Sequence, residues 1–386
     1  MSINGKLMSK DTVVATVKNG VVSIVEEKLV PLYFLRSQHI EGWLKDRAID
    51  EHRTNSRLLK KALRLENKDD VSTVLSVNAV TITDNYWFCP ENEKLTWEDV
   101  RFKENYFAYL ALKGSLNAFN LEPSKTPELT NRGSFEKCWL QENDRWWLYK
   151  NGSNNALFSE MFIYKLGEKL GFDMAHYELS DGYIRTLDFT NHGQYNLEPM
   201  KALIGDNEDY SDNFNLLHSL SPELAEQYLK IIYLDTVCLS VDRHTENYGV
   251  LRDPKTGDIL KMAPNYDNNI ALIYDGYDNQ PSREKDGFIN HFFVGFIKEN
   301  SVAAEMFLKL NLPKITENMI EECLKEIPIK VDEEYIKTFI LNGQLQIEKK
   351  LASLCLDNKI ITANERSKLS IKDRNSLIKD NFDLDK

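Results

Sequence analysis

The chain has 386 residues, enough for two or three domains' worth of core or for one two-lobed enzyme. Its 42% apolar and 28% charged content is that of a folded globular protein and argues against disorder over the whole length. With 60 acidic and 48 basic residues the net charge is −12, which argues against whole-surface attraction to nucleic acid or anionic lipid and leaves only local basic patches open.

In chain order, TVVATVKNGVVSIVEE (12–27) predicts a hairpin turning at Asn19-Gly20, since both residues tolerate positive φ. The leucines at 58, 59, 63 and 65, set among Arg53, Arg57, Lys60, Lys61 and Arg64, predict an amphipathic helix over about 51–65 with a basic outer face. VLSVNAVTITDNYWF (74–88) alternates like a strand. Residues 113–132 collect Pro, Ser, Thr, Asn and Gly without periodicity and read as a linker, so three regions are expected: 1–125, β-containing and of open role; 126–200; and 201–386. Lys137 to Gln141 and Arg145 to Lys150 flank a polar Glu142-Asn143-Asp144 turn, a hairpin that sets Lys137 opposite Lys150. A helix over 154–170 stops at Gly171, and GYIRTLDFT (182–190) reads as a strand. The acidic segment 205–213 reads as a solvated excursion, and Ser221-Pro222-Glu223 opens an apolar helix that delivers the chain to Asp242. Tyr248 to Asp253 and Asp258 to Ala263 form a second hairpin around Pro254-Lys255-Thr256-Gly257. A polar loop follows at 275–287, then mainly helix, with fraying expected from about Lys372. The pattern is α+β, strand-rich first and helical later.

The five cysteines form no C-x-x-C pair, so neither a disulfide framework nor a zinc site is indicated. No run approaches the ~20 apolar residues of a membrane span, and the amino terminus lacks a secretory signal; a cytoplasmic protein is expected.

The chemistry concentrates at VDRHTENYGVLRDPKTGDILKMAPNYDNN (241–269), where a hairpin returns Asp267 toward Asn247 and Asp242. Oxygen-bearing side chains at a hairpin mouth suit magnesium, which keeps part of its coordination sphere for phosphate and water. Asp242 and Asn247 have the Asp-x-x-x-x-Asn spacing of the protein-kinase catalytic loop, and Asp267 follows in the order of a second metal carboxylate. A strand Lys150 followed by Glu160 on the next helix repeats another kinase pairing. Gly133-Ser134 offers backbone N–H groups that phosphate could approach closely, and no Walker-type P-loop motif is present.

The run Asp242-Arg243-His244-Thr245-Glu246-Asn247, with Ala263-Pro264-Asn265-Tyr266-Asp267 after the hairpin, resembles the D-R-H-x-x-N and A-P-x-Y-D motifs of the HipA-like serine/threonine kinases of bacterial toxin–antitoxin systems. The resemblance covers about residues 130–275. It implies a two-lobed protein-kinase-like fold, strand-rich in its amino-terminal half and mainly helical in its carboxyl-terminal lobe, with 126–200 as N-lobe and 201–386 as C-lobe. It also implies ATP and Mg²⁺ as cofactors. Asp242 becomes the catalytic base, Asn247 and Asp267 the Mg²⁺ ligands, and Lys150, Glu160, Gly133, Ser134, Lys137 and His244 the nucleotide-binding set. Gly-Ser-Phe stands where the family writes Gly-Ala-Gln. Ser134 or Thr130 would be the regulatory hydroxyl, a protein Ser/Thr the acceptor, and an antitoxin-like protein a partner. A lipid acceptor, AMP transfer or a catalytically silent ATP- or partner-binding module are the alternative readings, and 275–290 is a candidate substrate-side segment.

Overall fold

The computed structural model describes residues 2–356; the fraying expected from Lys372 lies outside them. The chain divides into two interleaved compact units. The first comprises Met1–Gly152, Ala175–Gly205 and Tyr248–Ala263; the second comprises Ser153–Met174, Asp206–Asn247 and the chain from Pro264 onward.

Every named strand belongs to the first unit. Strands β1 (Gly5–Ser9), β2 (Thr12–Lys18), β3 (Val21–Ile24) and β4 (Tyr86–Pro90) form a sheet in the order β3-β2-β1-β4. Asn19 and Gly20, at φ 52° and 79°, turn β2 into β3 as the Asn-Gly pair predicts. Strands β5 (Lys137–Glu142), β6 (Arg145–Lys150), β7 (Tyr177–Ser180) and β8 (Tyr183–Leu187) form a second sheet in the order β5-β6-β8-β7, with Lys137 directly paired to Lys150. The third sheet is β11-β10-β9, made from β9 (Asn196–Pro199), β10 (Gly249–Arg252) and β11 (Ile259–Met262). Trp139 and Trp146 are buried with Trp87, Phe107 and Leu59 in one apolar cluster, so these two tryptophans pack rather than face solvent.

Three sequence expectations change in this unit. The 74–88 segment is not one strand: Asp69 caps a helix over Asp70–Leu75 by accepting the Ser72 N–H at 2.7 Å, and only Tyr86–Pro90 is extended. The capped helix takes Val74 and Leu75, and Asn78 and Ala79, at φ 55° and 58°, then break the alternating pattern. The helix expected over 51–65 contracts to Ser56–Ala62, and Arg53 lies before it, buried rather than on a solvated face. Within the 113–132 segment, Glu128, Leu129 and Thr130 are buried, so its loop-like composition describes packed irregular backbone.

The second unit is helical. Ser153 caps Asn154–Lys169 by accepting the Ala156 N–H at 3.2 Å, and Gly171 ends the helical path at φ +72°. Pro222–Cys238 starts at the Ser221 cap and is almost wholly buried from Ile231 on. It stops at Leu239, a non-glycine residue in the left-handed region at φ 52°, which costs on the order of 1–2 kcal/mol and re-aims the chain just before Asp242. Helices Tyr210–Leu220, Ser301–Leu310, Glu317–Lys325 and Glu333–Leu356 complete this unit, and Asp209 of the acidic segment caps the first of them. No described helix is long and apolar enough to cross a membrane.

Candidate active site

In the second unit, one arginine organises the segment 242–268. The Arg243 guanidinium donates Nε and Nη2 to the two carboxylate oxygens of Asp235, each at 2.8 Å. Its Nη1 reaches the carbonyls of Asn247 (2.8 Å) and Tyr266 (2.7 Å), and Nη2 also reaches Asn268 Oδ1 at 2.5 Å. All five guanidinium donors are therefore engaged, in the fork geometry that lysine lacks. Both partners of the ion pair are buried. Burial disfavours the charge, but the Asp235 carboxylate more than offsets it and holds the Arg243 pKa above its usual range. Arg243 therefore anchors its loop. Asp235, one carboxylate inside the apolar run IIYLDTVCL, was not singled out; a lone charge in such a run needs a buried partner, and that was the available signal.

This anchor fixes the expected metal and base residues. Asn247 donates Nδ2 to the Asp242 carbonyl at 2.7 Å, which leaves Oδ1 on the opposite edge of the amide. The His244 N–H donates to the Asp242 carbonyl at 3.0 Å and the Asn247 N–H to the His244 carbonyl at 2.9 Å, so the 242–247 loop is closed on itself. Tyr266 donates its hydroxyl to the Glu246 carbonyl at 2.9 Å. Asp267 sits at φ +60°, a conformation uncommon outside glycine and found mostly in Asn and Asp. Burial raises the Asp242 pKa; Asp267 pushes it further up, while His244 and Arg243 oppose the shift. The buried Glu160 carboxylate accepts the N–H of Asn268 at 3.1 Å, one residue past Asp267.

The donor set fits magnesium. Among the described residues no three His, Cys, Asp or Glu side chains converge as a metal cluster. One carboxylate and one amide oxygen suffice for an ion that keeps water and phosphate as its remaining ligands. Both side-chain polar atoms of Asn265 and Nδ2 of Asn268 are buried without a hydrogen-bond partner in the described structure, so polar capacity is left over on both sides of Asp267.

In the first unit the expected phosphate-binding residues gather at the open end of the β5–β6 hairpin. Lys137 and Lys150 are both buried and directly paired across the hairpin. Gly133 stands at φ +97°, and a Cβ there would lie 2.3 Å from the Lys137 Nζ. A side chain at 133 would have to push the Lys137 tip aside, and the backbone at φ +97° favours glycine. Arg53 donates Nη1 to the Asn131 carbonyl at 2.8 Å and Nη2 to the Lys137 carbonyl at 2.7 Å, clasping both ends of the Gly133-Ser134 loop. Ser134 is exposed, whereas Thr130 is buried with its hydroxyl committed to the Val80 carbonyl at 2.6 Å; of the two, only Ser134 is open to modification.

Glu128, which sequence reasoning passed over, supports the same loop. Its buried carboxylate accepts the Trp139 N–H (2.7 Å), Asn105 Nδ2 (2.7 Å) and Asn131 Nδ2 (2.9 Å). Burial raises its pKa to about 7, against the lowering influence of Arg53 and these donors. The folded value lies above the ordinary glutamate value of 4.5, so the proton-linked stabilisation is complete below about pH 4.5 and is lost as pH rises through about 7. Glu128→Gln is therefore expected to flatten that part of the stability profile, measured as the change in Tm between about pH 5.5 and 8 relative to wild type. An unchanged difference would show that Glu128 does not titrate there.

Among solved structures, HipA of the Shewanella oneidensis MR-1 toxin–antitoxin system, determined with HipB and operator DNA, matches at a TM-score of 0.52 and 11% identity, over 95% of this chain and 100% of that one. The proinflammatory kinase CtkA of Helicobacter pylori matches at a TM-score of 0.46 and 17% identity, over 56% of this chain and 94% of that one. No family model and no curated protein matches the sequence. The likeness to HipA is one of fold: a two-lobed, kinase-like architecture with strand-rich amino-terminal sheets and a helical carboxyl-terminal region.

Proposed function

We propose that this chain is an ATP-dependent serine/threonine kinase of HipA-like type that transfers the γ-phosphoryl group to a protein hydroxyl. The observation that carries this reading is the five-bond Arg243 hub, which pairs with Asp235 and ties the Asp242–Asn247 loop to the Tyr266 carbonyl and the Asn268 side chain on either side of Asp267. Structural ion pairs are common; one that also spends three donors on the two segments bearing the kinase-ordered Asp, Asn and Asp supports this chemistry.

In this reading Asp242 accepts the proton of the acceptor hydroxyl. Burial raises its pKa, which moves the acid limb of activity upward. Lys150 and Lys137 hold phosphate oxygens and the Gly133-Ser134 backbone approaches them. His244 is a further phosphate contact. Magnesium, held by Asn247 and Asp267, would neutralise charge on the phosphates when bound. The matching HipA was solved with a protein partner, HipB. By fold-level analogy alone, a protein partner of antitoxin type belongs to the proposal.

The test is intact-mass analysis of wild type and Asp242→Asn after incubation with Mg-ATP. A phosphoryl gain on wild type alone, mapped to Ser or Thr, is the expected result, with Ser134 as the site to inspect first. An adenylyl gain would replace phosphoryl transfer by AMP transfer. No gain on either, joined to no Tm shift with Mg-ATP, would overturn the reading.

A further inference from the structure

The first unit also carries a surface outside the proposed catalytic machinery. The helix Ser56–Ala62 exposes Arg57 and Lys61 one turn apart on one face, and the exposed Arg64 follows just past the helix end at φ +59°. Beside it, the helix Ala108–Lys113 turns at Gly114, φ +67°. Asn55 Nδ2 donates to the Ala111 carbonyl at 3.2 Å, and a Cβ on Gly114 would lie 3.0 Å from Asn55 Oδ1, so the two segments adjoin. Beyond the turn, Leu116 is 64% exposed, Leu121 43% and Phe119 39%, and Tyr109 before it is 52% exposed. Lys113 lies over the Tyr109 ring at 4.7 Å. Glu122 makes only a loose 3.9 Å contact with Arg64 and both side chains remain exposed, while Asp70 pairs with Lys60 at 3.2 Å and Glu136 accepts the Asn55 N–H at 3.2 Å.

Four large apolar side chains within thirteen residues of sequence, beside a row of arginine and lysine, are unusual on a chain of net charge −12. Scattered single apolar residues need no explanation, whereas a grouped set with a charged border marks a contact surface. We infer that this face docks an acidic, amphipathic helical segment of another protein, its apolar stripe on Tyr109, Leu116, Phe119 and Leu121 and its carboxylates on Arg57, Lys61 and Arg64. A second copy of this chain fits poorly, because a two-fold contact would set one basic row against the other while two polyanions approach. Duplex DNA would use the cations but leave the apolar side chains unused. The inference stands independently of the kinase reading.

The test measures binding of three fluorescein-labelled probes to the full chain. The first is a synthetic helix of about 20 residues with Leu at positions i, i+3, i+4 and i+7 and Glu elsewhere. The second carries Lys in place of Glu, and the third is a duplex of about 20 base pairs. Binding of the Glu peptide alone is expected, weakened about tenfold or more both by Leu116→Ser with Phe119→Ser and by Arg57→Glu with Lys61→Glu. The substituted side chains are exposed, so Tm should barely move and a folding defect is separable. Equal binding of the Lys peptide, preference for DNA, insensitivity to either pair of substitutions, or binding of no probe would each overturn the proposal.

Discussion

Arg243→Met is expected to destabilise the chain by about 3–5 kcal/mol in urea unfolding, because it leaves the Asp235 carboxylate buried without its counter-charge. The same substitution should abolish any Mg-ATP-dependent mass gain. These two effects have different origins, and a second variant separates them. Replacing the pair together, Asp235→Leu with Arg243→Met, removes the stranded charge, and apolar replacements of buried ion pairs are often neutral or stabilising. Most of the lost stability should return. Activity should not, since the Asn247 and Tyr266 carbonyls and Asn268 Oδ1 would still lack their shared donor. A double variant with both stability and activity restored would reduce the hub to a packing device and remove the main support for the assigned roles of Asn247 and Asp267.

Arg53→Met is expected to cost about 2–4 kcal/mol, from two charge-assisted hydrogen bonds whose carbonyls would remain without that donor. Arg57→Met, four residues on, should change stability by no more than about 0.5 kcal/mol, as exposed substitutions usually do. The two midpoints in urea, measured side by side, discriminate directly between a clasp under the Gly133 loop and a solvated basic face. Equal small effects would restore the solvated reading for both residues. In the functional reading, loss of Arg53 should also weaken Mg-ATP affinity, because the loop ends at Asn131 and Lys137 would no longer be held.

Local chemistry made much of the fold legible. The Asn19-Gly20 turn, the Lys137–Lys150 pairing, the Ser221 cap and the hairpin at 248–263 all follow from residues adjacent in sequence, where turn preferences and period-two patterning act without help. Arg53 and Asp235 were obscured for the opposite reason: their partners lie 78 residues away at Asn131 and 8 residues away at Arg243, and charge in a helical pattern reads by default as exposure. The 74–88 segment failed because the Asp69-capped helix takes Val74 and Leu75 and the chain then turns at Asn78 and Ala79, both at positive φ, which alternation does not weigh. At the candidate site the residue types were readable from spacing. The supports were not, because Glu128 sits in a stretch whose composition suggests solvated loop while three hydrogen bonds hold its carboxylate in the interior.

The interleaving of the two units bears on how the protein is made. Strand β9 has β10 as its only named partner, and 49 residues of the chain separate Pro199 from Gly249. A nascent chain emerging from the ribosome would carry β9 unpaired while the whole Pro222–Cys238 helix is synthesised, and the third sheet could close only once Met262 had left the exit tunnel. Contacts of such long sequence separation form late and expose apolar surface meanwhile. Biosynthesis should therefore be the stage at which this chain depends most on chaperones, and a fragment ending near Gly205 should be recovered largely in the insoluble fraction.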